Sequence, residues 1–305
     1  MQALLERVNL WELHKKALDM CSPSLCDFGS SRHFVSWGAF LFKILPQGGS
    51  WAERECFYLN NLQFGGFKES ISATKDSFPI EAGGYKVIIL KDLRVHGGGV
   101  SLWDSLKNPS EELSYLSNQL EILWKSPVFE KETLEADYTT CYQMIIKELD
   151  KRIGGSSGIK LDDSVIPRHT GSHGDLHLGQ FLSINSISNQ YVLHDFEGVP
   201  FSELGEKYFS HLWENKVGDL ASLLRSVDYW YRVQKKDPKG LTEKRRLKVL
   251  DALNVSKEDH QCLSYAYLIR NLYEVAYEEK YRPHWIETPM AGLKTSMEWV
   301  SSFEL

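Results

Sequence analysis

Ser172-His-Gly-Asp-Leu-His-Leu-Gly-Gln180 is the densest polar text in the chain, and His194-Asp-Phe-Glu-Gly198 follows a short way on. Gly174 and Gly179 break regular structure, and histidine and aspartate alternate between them, so the first stretch reads as a loop. The apolar Tyr191-Val-Leu193 runs directly into the second, which places Asp195 at a strand end. Two short strands, at 180–184 and 191–193, are expected around the connection. A loop and a strand end of this composition are the parts from which a polar pocket is built.

Outward from this point, strands dominate the first hundred residues and helices the rest. Met1 to about Leu18 reads as an amphipathic helix and not as a signal peptide, since Glu6 and Glu12 interrupt it. Strands are expected at His33-Phe-Val-Ser-Trp37 and across 39–45. A capping-box spacing of Ser50 and Glu53 opens a helix from Trp51 to about Leu62. Residues 64–79 are polar and irregular. Tyr85-Lys-Val-Ile-Ile-Leu90 is a β-branched apolar run, predicted as a buried strand. Gly97-Gly-Gly99 is a connector. Asn108-Pro109 with Glu111 then reads as a helix start, with Leu113, Leu116, Leu120, Leu123 and Trp124 in one apolar stripe. A second stripe at Cys141, Ile145, Leu149 and Ile153 ends in Gly154-Gly-Ser-Ser-Gly158. Further helices are expected near 201–216, 218–234 and 257–280. This is an α+β pattern with a small N-terminal sheet lobe, 1–96, and a larger helical lobe, 97–305.

Composition narrows the functional classes. The chain has 305 residues with 35 Lys and Arg against 41 Asp and Glu, so it is globular and mildly acidic, with a net charge of −6. No basic stripe of the kind that tracks a nucleic-acid backbone is evident. No apolar run is long enough to span a membrane. Five scattered cysteines, Cys21, Cys26, Cys56, Cys141 and Cys262, complete no metal-ligand spacing and fit reduced thiols in a cytoplasmic protein.

Asp175 and Gln180 stand five residues apart, the offset between the base aspartate and the metal-binding amide of a kinase catalytic loop; a second metal-binding aspartate comes from a following strand end. Asp195 occupies that position, and Glu197 adds a further hard oxygen. In this sense the quoted stretches resemble the maltokinase branch of the aminoglycoside-phosphotransferase-like kinases, whose marks are HGDxHLGQ and DFEGxP. The resemblance extends to Asp219-Leu-Ala-Ser-Leu-Leu-Arg-Ser226, to Tyr273-Glu-Val-Ala-Tyr-Glu278 with Arg282-Pro-His-Trp285, and more weakly to Val35-Ser-Trp-Gly-Ala-Phe-Leu-Phe-Lys-Ile44. The large N-terminal subdomain of maltokinases has no counterpart ahead of this lysine strand, so maltose stands beside glucose or an amino sugar as the expected acceptor.

The resemblance implies a bilobal protein-kinase-like fold and an ATP- and Mg2+-dependent sugar kinase. In it, Lys43 pairs with the nucleotide phosphates and Glu55, or alternatively Glu53, pairs with Lys43. The stretch 90–93, with Lys91 and Leu93, forms the hinge that reads adenine. Asp175 is the catalytic base, and His173 braces its loop. Gln180, Asp195 and Glu197 hold Mg2+. His177, Glu274, Tyr277, Glu278 and Trp285 address the acceptor, carboxylates taking sugar hydroxyls and aromatic rings stacking on a pyranose. Arg225 and Asp219 are expected as an ion pair within one helix. Neither a Walker loop nor G-x-G-x-x-G is present. Three other readings remain: an aminoglycoside or other small-molecule kinase of the same fold, a metal-dependent hydrolase using His169, His173, Asp175, His177 and His194, and an interaction module that has lost catalysis.

Overall fold

A four-stranded antiparallel sheet, β1 (His33–Trp37), β2 (Phe40–Pro46), β3 (Ile80–Ala82) and β4 (Tyr85–Lys91), forms in the order β1-β2-β4-β3. The computed structural model describes residues 33–37, 40–46, 51–64, 79–82, 85–125, 147–148, 150–152, 172–184, 191–196 and 215–303. The expected helix up to Leu18, the Ser50 cap, most of the 141–153 stripe, residues 201–214, His169 and Glu197 lie outside the described residues.

β2 and β4 are buried along both faces: Phe42, Lys43, Ile44 and Leu45 on one strand, Val87 to Leu90 on the other. A strand covered on both sides reads as a continuous apolar run, which is why 85–90 stood out and why Lys43 is chemically anomalous there. Helix α1 (Trp51–Phe64) packs on β4 through a buried face of Ala52, Glu55, Cys56, Tyr58 and Leu59.

After β4 comes a 3-10 turn, Leu93–His96, capped by Asp92, whose side chain accepts from Arg94 N, and closed by Gly97 at φ 70°. Gly98 then meets the hairpin β5 (Phe181–Ser183) and β6 (Tyr191–Leu193) so closely that a Cβ there would lie 2.3 Å from the Ile184 carbonyl oxygen. Gly99 N–H donates to Ser183 O at 2.7 Å and Ser183 N–H to Val100 O at 2.9 Å. These bonds explain the grouping of the chain into two compact units, Met1–Asp104 with Gln180–Glu197, and Ser105–Gly179 with Gly198–Leu305. Where the sequence suggested one cut at 96/97, the β5–β6 hairpin groups with the sheet.

The helical unit contains α3 (Pro109–Lys125), α4 (Lys216–Tyr229), α5 (Glu243–Ala252), α6 (Asp259–Tyr281) and α7 (Glu287–Ser301), numbered after the short α2 (Leu102–Ser105). The α3 stripe is buried as expected. Its cap differs: Glu112, not Glu111, accepts from the backbone N–H groups of Lys107 and Asn108. The proline at the first position leaves the cap short of a donor, and Glu112, one turn on, reaches back to the preceding residues. Asn215 caps α4 by accepting from Gly218 N, and α4 ends in a π-helical turn, Trp230–Gln234, so the single helix expected over 218–234 is two geometries.

Helix α6 is buried on nearly every side and packs against α4 and α7. Neither α5 nor α7 was expected. α5 is strongly basic, and its buried face includes Arg246, whose guanidinium lies 4.0 Å over the Trp299 ring. α7 contains Gly292, where a Cβ would come 2.5 Å from Asn271 Oδ1. The buried face of α5 mixes Arg246 with Val249 and Leu250, and that of α7 sets Gly292 and Ser296 among Leu293, Trp299 and Val300, so polar and small residues break up both apolar stripes. Cys56 and Cys262 are free thiols, and burial pushes Cys262 up to about 12, so its thiolate is suppressed.

Candidate active site

In the sheet unit, Lys43 carries the one ammonium in the middle of β2, with a side chain only 1% exposed. Its Nζ donates to Glu55 Oε2 at 2.6 Å and to Asp195 Oδ1 at 2.7 Å. Gln180 Nε2 donates to Asp195 Oδ2 at 3.2 Å. The alternative partner, Glu53, pairs instead with Lys86 at the edge of the helix. Residues two apart on a helix face differently, so only one of them can look into the sheet.

Asp195 sits just past β6 with φ 66°, a left-handed conformation that aspartate tolerates better than most side chains. That turn separates the Asp195 side chain from the strand and sends Phe196 into the core, where it is fully buried and stacks on Tyr58 at 5.3 Å. One face of α1 therefore engages both members of the strand end: Glu55 through Lys43, and Tyr58 through Phe196. Lys91 and Leu93 lie at the other end of β4. Phe40 opposes Lys91 and Lys43 opposes Ile88, an odd offset, so the Lys91 side chain leaves the opposite sheet face from Lys43. The Leu93 carbonyl accepts from Gly98 N.

In the helical unit, Asp219 organises the loop before Gln180. Fully buried in the first turn of α4, it accepts from Gly174 N at 2.9 Å, His173 N at 2.8 Å and Trp124 Nε1 at 3.0 Å. It is thus a loop brace and not the partner of Arg225, which pairs with Glu274 at 3.3 Å. Helical residues six apart do not share a contact on the cylinder, and the tight backbone at Gly174 offers better donors. Ser226 Oγ accepts from Leu178 N at 2.9 Å, a second tie from α4. His173 Nδ1 accepts from Asp175 N, and His177 Nδ1 accepts from Gly179 N. Both histidines support backbone, and among the described residues no three His, Cys, Asp or Glu side chains gather to hold a metal ion.

Asp175 has one oxygen, Oδ1, on Arg270 Nη2 at 2.7 Å. Arg270 Nη2 also reaches Glu274 Oε1 at 3.1 Å, giving a chain Asp175–Arg270–Glu274–Arg225. Burial works to raise the Asp175 carboxyl, but neighbouring positive charge, Arg270 foremost, outweighs it and holds the group below the usual carboxylate range. Burial would lower Arg270, yet Asp175 and Glu274 hold it above its ordinary value. Sequence reasoning missed Arg270; the signal available was its place four residues before Glu274 on a helix.

Farther along α6, Glu278 pairs with Arg282 at 2.6 Å and accepts from Tyr229 OH at 3.2 Å. Trp285 stacks on Tyr229 at 6.2 Å, and Tyr277 lies between Tyr273 and Tyr281. The structure therefore brings Glu278 and Trp285 together around Tyr229 and Arg282, sets Glu274 against the arginines beside Asp175, and stacks Tyr277 within an aromatic row along the helix.

No protein-family model matches the chain. Among solved structures it is similar to the gentamicin complex of APH(2'')-IIa, at TM-score 0.50 and 14% identity over 96% of this chain and 99% of that one. It is also similar to ADP-bound APH(2'')-Ib, at 0.48 and 14% over 94% and 98%. Choline kinase LicA from Streptococcus pneumoniae gives 0.40 and 15% over 90% and 92%. The first match shows the fold: the chain has the aminoglycoside-phosphotransferase, protein-kinase-like fold, as the catalytic-loop text implied.

Proposed function

We propose that the chain is an ATP-dependent kinase that phosphorylates a hydroxyl of a small neutral acceptor, with a sugar as the leading class. The observation that carries this reading is the buried Lys43 joined to both Glu55 and Asp195, with Gln180 on the second Asp195 oxygen. A lysine in a sheet interior is costly unless its charge is paired, as it is here by two carboxylates, and these are the side-chain types that position nucleotide phosphates. The carboxylate of Asp195 and the amide oxygen of Gln180 are hard donors and suit Mg2+, which supplies charge neutralisation at the phosphates when bound.

In the reaction, the acceptor hydroxyl oxygen forms a bond to the γ-phosphorus as the bond from that phosphorus to the β,γ-bridging oxygen breaks. The hydroxyl proton passes to Asp175, and ADP leaves. Asp175 orients the hydroxyl as well as accepting its proton.

The pairing of carboxylates favours a neutral acceptor over a cation. Glu274 is matched by Arg270 and Arg225, Glu278 by Arg282, and Asp175 by Arg270. An ammonium brought beside them would be desolvated against carboxylates that already have partners. The runner-up is an aminoglycoside kinase, favoured by the likeness to APH(2'')-IIa.

The deciding measurement is ADP release with ATP and Mg2+ across glucose, maltose, glucosamine, an aminoglycoside and choline. We expect turnover with a neutral sugar and a fall of about 10²–10⁴-fold in kcat for Asp175→Asn. Turnover confined to the aminoglycoside or choline would overturn the neutral-acceptor reading. Asp175→Asn turning over at the wild-type rate would remove Asp175 from the chemistry.

A further inference from the structure

We infer that Arg270 is the positioning residue of the catalytic loop, fixing which oxygen of Asp175 receives the acceptor proton. The inference rests on the kinase reading above.

The backbone of the loop is already held from two sides. Asp219 takes the N–H groups of His173 and Gly174, and His173 Nδ1 takes that of Asp175. What the backbone leaves open is rotation of the Asp175 carboxylate about its own side chain. Arg270 closes that freedom, because it reaches Oδ1 from the middle of α6 with only 3% of its side chain exposed. Its guanidinium is planar with fixed N–H directions, so one nitrogen, Nη2, held between two carboxylates sets direction as well as charge. The anchor is present: the same Nη2 contacts Glu274 one turn on, and Arg225 from α4 holds Glu274 in turn.

With Oδ1 engaged, Oδ2 is the atom available to an incoming hydroxyl. The groups facing the carboxylate are Arg270 and, through Glu274, Arg225 from the helices, and His173 and His177 from its own loop. The guanidinium charge, Arg270 foremost, keeps the base ionised, so that it is ready to accept a proton but is a weak one. Orientation is then its larger contribution. The same geometry gives Glu274 a purpose other than reading the substrate: it holds the Arg270 Nη2 in place.

Arg270→Gln and Arg270→Lys test this in the full chain. In Arg270→Gln, kcat on the best acceptor should fall about 10–10²-fold with KM for ATP unchanged, and the acid limb of the kcat profile should move up by about one unit or more. Arg270→Lys restores the point charge but not the planar group whose N–H directions are fixed. Its acid limb should stay near that of the wild type while kcat remains reduced. Carboxyl carbon NMR of Asp175 provides a readout that needs no turnover: its titration should move to higher pH in Arg270→Gln and return in Arg270→Lys. If either variant is unfolded by circular dichroism, the other carries the test. An active wild type whose Arg270→Gln keeps the same kcat and acid limb overturns the inference. A wild type inactive on every acceptor, with the Asp175 titration still governed by Arg270, overturns the kinase reading and leaves the Arg270–Asp175 coupling standing.

Discussion

Glu53 and Glu55 differ by two positions on α1, and that offset decides their chemistry. Glu55 points into the sheet and meets Lys43, where both side chains are 1% exposed. Glu53 meets Lys86 at a boundary where it is 44% exposed. Removing charge from a buried pair leaves the partner without compensation in a low dielectric, whereas an exposed pair contributes little. Glu55→Gln should therefore lower kcat/KM for ATP about 10-fold or more, since Lys43 loses a carboxylate anchor. Glu53→Gln should shift unfolding by less than about 1 kcal/mol and leave ATP kinetics unchanged. Steady-state kinetics and urea titration of the two variants check this pair of outcomes. An equal effect of both variants on ATP kinetics would deny Glu55 its special role.

At the scale of elements, the Gly97–Gly99 segment holds the β5–β6 hairpin to the sheet unit. Gly97 takes the left-handed turn that ends the 3-10 helix, and Gly98 lets the backbone approach Ile184. A methyl at position 98 would meet backbone, which cannot swing aside as a side chain does. Gly98→Ala should cost about 1–3 kcal/mol, read as a lower urea midpoint at unchanged slope. Because the hairpin carries Gln180 at its start and Asp195 at its end, the same variant should raise the Mg2+ concentration needed for half-maximal turnover. Wild-type stability in Gly98→Ala would mean that the segment yields more readily than its contacts indicate.

For the whole molecule, the ion pairing of Asp175 links stability to pH. Its folded-state carboxyl lies below the ordinary value, so the native state binds the proton less readily than the unfolded chain. Such a group contributes stability above the unfolded pKa, about 3.9, and loses it as pH falls through the folded value. Asp175→Asn removes that contribution. Urea midpoints of wild type and Asp175→Asn should converge as pH falls below about 4, with the wild type losing more. Parallel curves across that range would show that Arg270 does not favour the ionised form.

The linear text by itself located the loop and the strand end of the candidate site, because their spacing is local. Gly174 and Gly179 mark a loop, the five-residue step from Asp175 to Gln180 is a backbone distance, and Asp195 follows an apolar strand. The buried stripe of α3 and the run at 85–90 were legible for the same reason: periodicity records which face is covered. Only the tertiary structure decided the partners. Asp219 was legible as a helix residue but not as the acceptor of two loop N–H groups and the Trp124 indole. Arg270 gave no sign of reaching Asp175, 95 residues away. Glu274 and Glu278 read as free carboxylates until their arginines were seen beside them. α5 and α7 were hidden because a buried arginine in one, and a glycine and a serine in the other, interrupt their apolar stripes. Pairing of charges across sequence-distant helices is set by packing, and no one-dimensional spacing records it.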